Sequence, residues 1–307
     1  MSDTKTSSRI VTGGYGLVGS QFNSQYKKLG RNDANLTQKD ETIAVFKALK
    51  PEVVIHAAAE VGGLYSNMEW PNNYFTQNVN INNNVVKACR VAGVKKVVAF
   101  LSTCIFPDVV EYPLTEQKIH LGPPHQSNYG YAYAKRMMDV AIQTHNQQYG
   151  TKWFCVIPTN IYGINDNFNI TDGHVIPALI HKVFQARENN EVLQVPGNGS
   201  ALREFIFARD VAGIVEKLIE EYTDTTPVII STSHEISIKE ILGIIIDLMN
   251  YKGPIEWLTD MPNGQHRKPS DITKLKSILP GIQFTSIYGG IKDTIEWFEA
   301  NFPAIRK

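Results

Sequence analysis

Apolar positions along the chain fall into two kinds of run. Short, nearly continuous ones, "RIVTG" (9–13), "EVVIHAAA" (52–59), "KKVVAFLST" (95–103) and "KWFCVIPTNIYG" (152–163), have the length and β-branched content of strands covered on both faces. Longer stretches between them place apolar residues at helical spacing: "LVGSQFNSQYKKL" (17–29), "ETIAVFKALK" (41–50), "NVNINNNVVKACRVAG" (78–93) and the segment from Tyr131 to about Tyr149. This alternation predicts an α/β fold, a doubly wound parallel sheet with its ligand site at the carboxyl ends of the strands. After about residue 165 the rhythm loosens. Helical patterns at 174–190, 208–222 and 237–250 are separated by prolines and glycines. The expected division is a sheet domain over 1–165, to which some later segments return, and a smaller α/β lobe over 166–307 carrying substrate selectivity.

Composition narrows the class. Of 307 residues 43% are hydrophobic, and 30 Lys and Arg balance 30 Asp and Glu. A net charge near zero gives no support to a nucleic-acid or membrane-surface partner. No apolar run is long enough to cross a bilayer, and the opening "MSDTKTSSR" lacks the apolar core of a signal peptide. Three widely spaced cysteines make neither a disulfide framework nor a zinc site, so a cytoplasmic, reducing setting and no metal are expected.

Two motifs carry candidate chemistry. "VTGGYGLVGS" places Gly13, Gly16 and Gly19 three apart, after a strand and before a predicted helix. Such glycines permit a tight turn, close approach of a pyrophosphate and close helix–strand packing, so the loop predicts a Rossmann-like dinucleotide site with phosphates at the helix N-terminus. The second motif is "NYGYAYAK" (128–135). Residues four apart share a helix face. Tyr131 therefore stands beside Lys135, whereas Tyr133 points away and Tyr129 is expected to precede the helix. A cation there would lower the phenol's pKa toward neutrality. Taken alone, Tyr-x-x-x-Lys also occurs by chance in helices.

Together with "AAAEVGGL" (57–64), "LSTCIFP" (101–107), "IPTNIYG" (157–163), "DGHVIPALIHK" (172–182), "ALREFIF" (201–207) and "HRKPSD" (266–271), these motifs make the chain resemble the extended short-chain dehydrogenase/reductases. The likeness runs over nearly the whole length. Within that family the Ser-x-Cys string with His174 is similar to the branch of epimerase/reductases acting on GDP-4-keto-6-deoxy-D-mannose with NADPH. The resemblance implies a role for each residue. Tyr131 would protonate the C4 oxygen during reduction, and Lys135 would hold the nicotinamide ribose. Ser102 would hydrogen-bond the ketone, Cys104 would act as base and His174 as acid on the opposite face. A thiol lowered by a positive neighbour suits a base, although a buried packing residue is the commoner fate of a cysteine. Cofactor contacts implied are Gly13, Tyr15, Gly16, Leu17, Val18 and Gly19, then Arg31, Asn35 and Leu36, then Lys135, Pro158, Asn160, Ile161 and His174. Substrate contacts implied are Lys182, Arg203, Asn263 and Lys268.

Three departures from the family pattern stand out. "SQYKKLG" passes directly to "RNDANLTQKD", so the second strand is expected to be shortened or missing, with weaker cofactor binding and blurred choice between NADPH and NADH. Pro196 stands where a tryptophan is usual, and Asn263 where an aspartate is. Alternatives remain a related deoxysugar or heptose epimerase/reductase, or a non-catalytic scaffold. A homodimer is expected, paired through the 78–93 helix and the Tyr131 helix in a four-helix bundle, with Met137, Met138 and Ile142 supplying surplus apolar surface.

Overall fold

The computed structural model describes residues 8–260 and 267–306. Its first strand, β1 (Arg9–Thr12), runs into the glycine loop, but the loop opens no α-helix. The chain makes one 3-10 turn at Gly19–Gln21 and returns as β2 (Tyr26–Leu29), parallel to β1 with Arg9 opposite Tyr26. The predicted helix over 17–29 is therefore corrected, and so is the missing strand. The strand is present; the helix has shrunk to a single turn. Residues 13–25 are about the shortest connection that can carry a chain between parallel strands. Four glycines, two serines and an asparagine in the segment also disfavour an α-helix. Phe22, Tyr26 and Leu29, read as a helical stripe, are buried. Lys27 and Lys28 keep the outermost strand from pairing with a neighbour.

The main sheet continues through α1 (Lys39–Leu49), β3 (Val53–His56), the short α2 (Leu64–Glu69), α3 (Pro71–Ala92), β4 (Lys96–Phe100), α4 (Tyr129–Tyr149) and β5 (Phe154–Pro158). Helix α3 starts on a proline and stops at Gly93, whose positive φ of 70° ends the turn. Beyond it come β6 (Asn160–Tyr162), α5 (Val175–Asn189), β7 (Leu193–Pro196), β8 (Leu202–Phe207), α6 (Ala208–Glu221) and β9 (Val228–Ile230), then β10 (Glu235–Ser237), α7 (Ile238–Leu248), β11 (Ile255–Leu258), α8 (Thr273–Ile278) and α9 (Ile287–Asn301).

Six strands make one all-parallel sheet in the order β2-β1-β3-β4-β5-β9, as the continuous apolar runs required. Helices α1, α3 and α4 pack in succession, while α6 lies against β4 and the 3-10 turn. Two small sheets, β10-β8-β6 and β11-β7, enclose a second core around Phe168, Ile180, Phe207 and Phe298. Strand β6 leaves β5 after one residue, so the two cores meet where the main sheet's strands end.

Two expectations for α4 need revision. Tyr129 is its first residue and stacks edge-on against Tyr133 at 4.7 Å. Met138 and Ile142 lie in the chain's own core, so of the three residues named for surplus surface only Met137 is exposed.

Candidate active site

The glycine loop sits where β1 and β3 end. Gly13 has a φ of 68°, and a β-carbon on it would lie 2.8 Å from the Ala58 amide nitrogen. A β-carbon on Gly19 would meet the Gly13 carbonyl oxygen at 2.1 Å. The loop is therefore folded on itself so tightly that only glycine fits at positions 13 and 19, and it is held by Gly16 N–H to Gly13 O (3.0 Å) and Ser20 N–H to Gly16 O (2.9 Å). No α-helix stands behind it, so any anion it holds rests on backbone amides and one short turn rather than on a full helix dipole.

From this loop a cleft of about 1010 Å³ runs along the carboxyl edge of the sheet. Tyr15, Gly16, Leu17, Val18 and Gly19 line its first end, followed by Arg31, Asn35 and Leu36 from the loop after β2. Arg31 pairs with Glu60 at 2.7 Å; the arginine is largely in water, the glutamate half-buried. At the other end the walls are Pro158, Asn160 and Ile161, with His174 beyond.

Ser102, Cys104, Tyr131 and Lys135 occupy the middle. Strand β4 ends at Phe100, and the chain makes a 3-10 turn at Thr103–Ile105 capped by Ser102, whose Oγ accepts the Cys104 N–H at 3.4 Å. Helix α4 brings Tyr131 and Lys135 on one face, with Nζ 5.8 Å from the Tyr131 ring centroid. Lys135 is 2% exposed and donates to the Phe100 carbonyl at 2.8 Å, fastening α4 to the end of β4. Burial pulls its pKa down to about 8, partly opposed by the Cys104 and Cys155 thiols.

The predicted lowering of the Tyr131 phenol does not occur in this arrangement. Burial pushes it well up, and the nearby Cys104 adds to the shift. Cys104 likewise moves opposite to expectation. Burial raises its thiol, and the Ser102 hydrogen bond and the charges of Lys268 and Lys135 pull it back only in part. Both groups thus hold their protons at neutral pH.

His174 caps the N-terminus of α5 and faces Asp166, with Nδ1 3.5 Å from Oδ1. Half of its side chain is exposed, and what desolvation the cleft imposes is outweighed by the hydrogen bond and charge of Asp166, which raise its pKa. Arg203 and Lys268 line a side cleft of about 180 Å³ together with Ser102 and Cys104. Lys182, two turns into α5, lines neither cleft. Asn263 lies outside the described residues.

Sequence reasoning passed over four residues whose buried oxygens lack a partner: Asn67 Oδ1, Asn128 Oδ1, Thr159 Oγ1 and Asp166 Oδ2. All four line the main cleft. A buried, unpaired polar atom costs about 1–3 kcal/mol, so four beside one cavity point to groups that a ligand completes. Two of them lay inside quoted motifs; nothing in residue type or spacing separated them from ordinary turn residues.

With this geometry in view, comparisons with known proteins give a consistent result. A family model described as "NAD dependent epimerase/dehydratase family" matches residues 9–230. A GDP-L-fucose synthase of Dictyostelium discoideum is 43% identical, over 99% of this chain and 100% of its own. A probable GDP-L-fucose synthase of Drosophila melanogaster is 38% identical, over 97% and 99%. The crystal structure of a GDP-L-fucose synthetase from Naegleria fowleri bound to NADP superposes with a TM-score of 0.93 at 38% identity, over 100% of this chain and 97% of that one.

Proposed function

We propose, for a chain that belongs to the NAD-dependent epimerase/dehydratase family and within it to the GDP-L-fucose synthases, the reaction of those relatives. It inverts C3 and C5 of GDP-4-keto-6-deoxy-D-mannose and reduces the C4 ketone with NADPH to give GDP-L-fucose. The observation that carries this reading is the convergence of Ser102, Cys104, Tyr131, Lys135 and His174 on one cleft that continues to the glycine loop.

NADPH, when bound, supplies the hydride. Its fit is supported by Gly13 and Gly19, which admit no side chain, and by the unpaired oxygens of Asn128 and Thr159 along the cleft. Residues 13–19 would hold the pyrophosphate, Arg31, Asn35 and Leu36 the adenosine half, and Lys135, Pro158, Asn160 and Ile161 the nicotinamide end. Arg203 and Lys268 would meet the substrate's diphosphate, for which buried cations are suited.

The ketone makes the C3 and C5 protons acidic because the enolate carries its charge on oxygen. Ser102 accepts the Cys104 amide, which leaves its own O–H free to donate to that oxygen. Cys104 takes a proton from one face and His174 returns one to the other. The thiol is not a standing thiolate, so it first gives its proton to solvent water, a loss that the positive charge of Lys268 and Lys135 assists, and only then takes one from carbon. Tyr131, kept protonated by burial, gives its proton to the C4 oxygen.

Three free cysteines suit a reducing, cytosolic setting, and among the described residues no helix is long and apolar enough to cross a membrane. Exposed Met137, Val140 and Tyr149 on α4, with Val91 on α3, support pairing of two chains through these helices as a four-helix bundle. The test of the reaction is a run in D₂O with the keto sugar and NADPH. Deuterium at C3 and C5 of the product and stoichiometric NADPH consumption are expected. Neither signal at micromolar enzyme would overturn the reading.

A further inference from the structure

We propose that Asp166 is the positioning residue for His174: its carboxylate takes the Nδ1–H, so that the imidazole keeps both protons and presents Nε2–H to the substrate. This rests on the acid role assigned to His174 above. Asp166 is 2% exposed, yet only one of its oxygens is satisfied. Oδ1 accepts the Asn167 amide at 2.7 Å and lies 3.5 Å from His174 Nδ1. Oδ2 is buried without a partner on the wall of the cleft. A carboxylate held out of water with half its acceptors empty is costly unless its charge is used.

His174 needs that charge. It occupies the N-cap of the fifteen-residue α5, at φ −65° and ψ 163°, where the helix dipole repels a cation. Arg306, from the chain's last turn, lines the same cleft and also disfavours a positive imidazole. Asp172 favours it, but its Oδ1 is engaged by the Gly63 amide at 2.9 Å. Among the described residues facing the ring, Asp166 alone combines contact with opposite charge. In the epimerisation step the Nε2–H bond breaks, its proton goes to the enolate carbon and its electron pair stays on Nε2. Asp166 remains a carboxylate throughout, bonded to a neutral imidazole whose single proton is then on Nδ1.

The test reads the imidazole directly. The chain has eight histidines, and His174→Gln identifies the His174 resonance in ring-proton NMR spectra. The wild-type ring is expected to titrate above the ordinary value of about 6.5, and Asp166→Asn to lower it by about one pH unit or more. In the same variant, solvent deuterium exchange at C3 and C5 should fall by about tenfold at neutral pH and recover on acidification, while NADP⁺ affinity stays within about twofold. A purely structural aspartate would not move the exchange profile toward acid. An unchanged His174 titration in a folded Asp166→Asn protein overturns the proposal. So does a wild-type His174 titrating at or below the ordinary value, a reading that needs no variant to fold. If the wild type exchanges nothing with this substrate, the proposed reaction fails while the NMR result still decides the pairing.

Discussion

Two glycines three residues apart should fail in different ways. A methyl on Gly19 would lie 2.1 Å from the Gly13 oxygen, 2.8 Å from its carbonyl carbon and 2.8 Å from the Gly14 Cα. All three are backbone atoms of the same loop and cannot yield singly. Overpacking of this kind costs about 1–3 kcal/mol, which at roughly 2–4 °C per kcal/mol lowers the melting temperature by roughly 2–12 °C. A methyl on Gly16 meets a single neighbour, the Gly13 oxygen, at an ordinary 3.4 Å. Gly16→Ala should therefore melt within about 2 °C of the wild type, a change below about 0.5 kcal/mol. Gly16 also lines the cleft, and its methyl would stand where a pyrophosphate must approach. Losing one hydrogen bond to a charged acceptor, about 1.5–3 kcal/mol, weakens NADP⁺ binding roughly ten- to hundredfold. Melting curves with and without cofactor, and calorimetric titration of NADP⁺, measure both effects. Wild-type NADP⁺ affinity in Gly16→Ala would refute the loop as the pyrophosphate seat, and an unshifted melt for Gly19→Ala would refute the packing argument.

Lys135→Met should abolish hydride transfer yet melt higher than the wild type near neutral pH, because the lysine is charged there in a buried site. Its folded pKa of about 8 lies below the unfolded value, so this destabilisation is full below pH 8 and fades as pH rises toward the unfolded value of about 10.4; a melting difference independent of pH would contradict the shift. Tyr131→Phe should lose reduction while C3 and C5 still exchange with D₂O, and loss of both together would show the two chemistries inseparable. Glu60→Gln should tighten NADPH about two- to fivefold at low salt by freeing Arg31 from an exposed pair worth under about 1 kcal/mol, and Arg31→Ala should erase any preference over NADH; a Glu60→Gln effect that persists at high salt would be of another origin. Sedimentation should give the mass of two chains at micromolar concentration, and Met137→Glu with Val140→Glu should return one.

The four apolar runs at 9–13, 52–59, 95–103 and 152–163 were legible as strands because continuous burial leaves its own signal, whereas the order of the sheet and the three-residue β9 were not. The segment 17–29 failed because Phe22, Tyr26 and Leu29 are three or four apart, which is equally a helical stripe and the anchors of a turn plus strand. Periodicity cannot separate those states when the connection is this short. Tyr131 and Lys135 were legible because four residues on a helix is a geometric statement. Their protonation was not, since it depends on burial that arrives from β4, α4 and the chain beyond residue 200. Asp166 was invisible for the same reason: its significance lies in which histidine it faces.

The absent helix after the glycine loop has a consequence for how the molecule is made. With only one turn of its own, the loop is braced by distant chain. Asn23 Nδ2 donates to Glu216 Oε1 at 2.9 Å across 193 residues, and Arg9 to Glu220 at 2.7 Å across 211. A βαβ unit with a full helix buries its turn by local contacts and can form early. Here the first strand and loop emerge from the ribosome long before α6 exists to cover Phe22 and Tyr26. Contacts of such separation form late and slowly because the loop-closure entropy must be met first. A motif synthesised about 200 residues before α6 is thus completed only after α6 has formed. In the interval Phe22 and the strand edge beside it are open to chaperones and to other nascent chains.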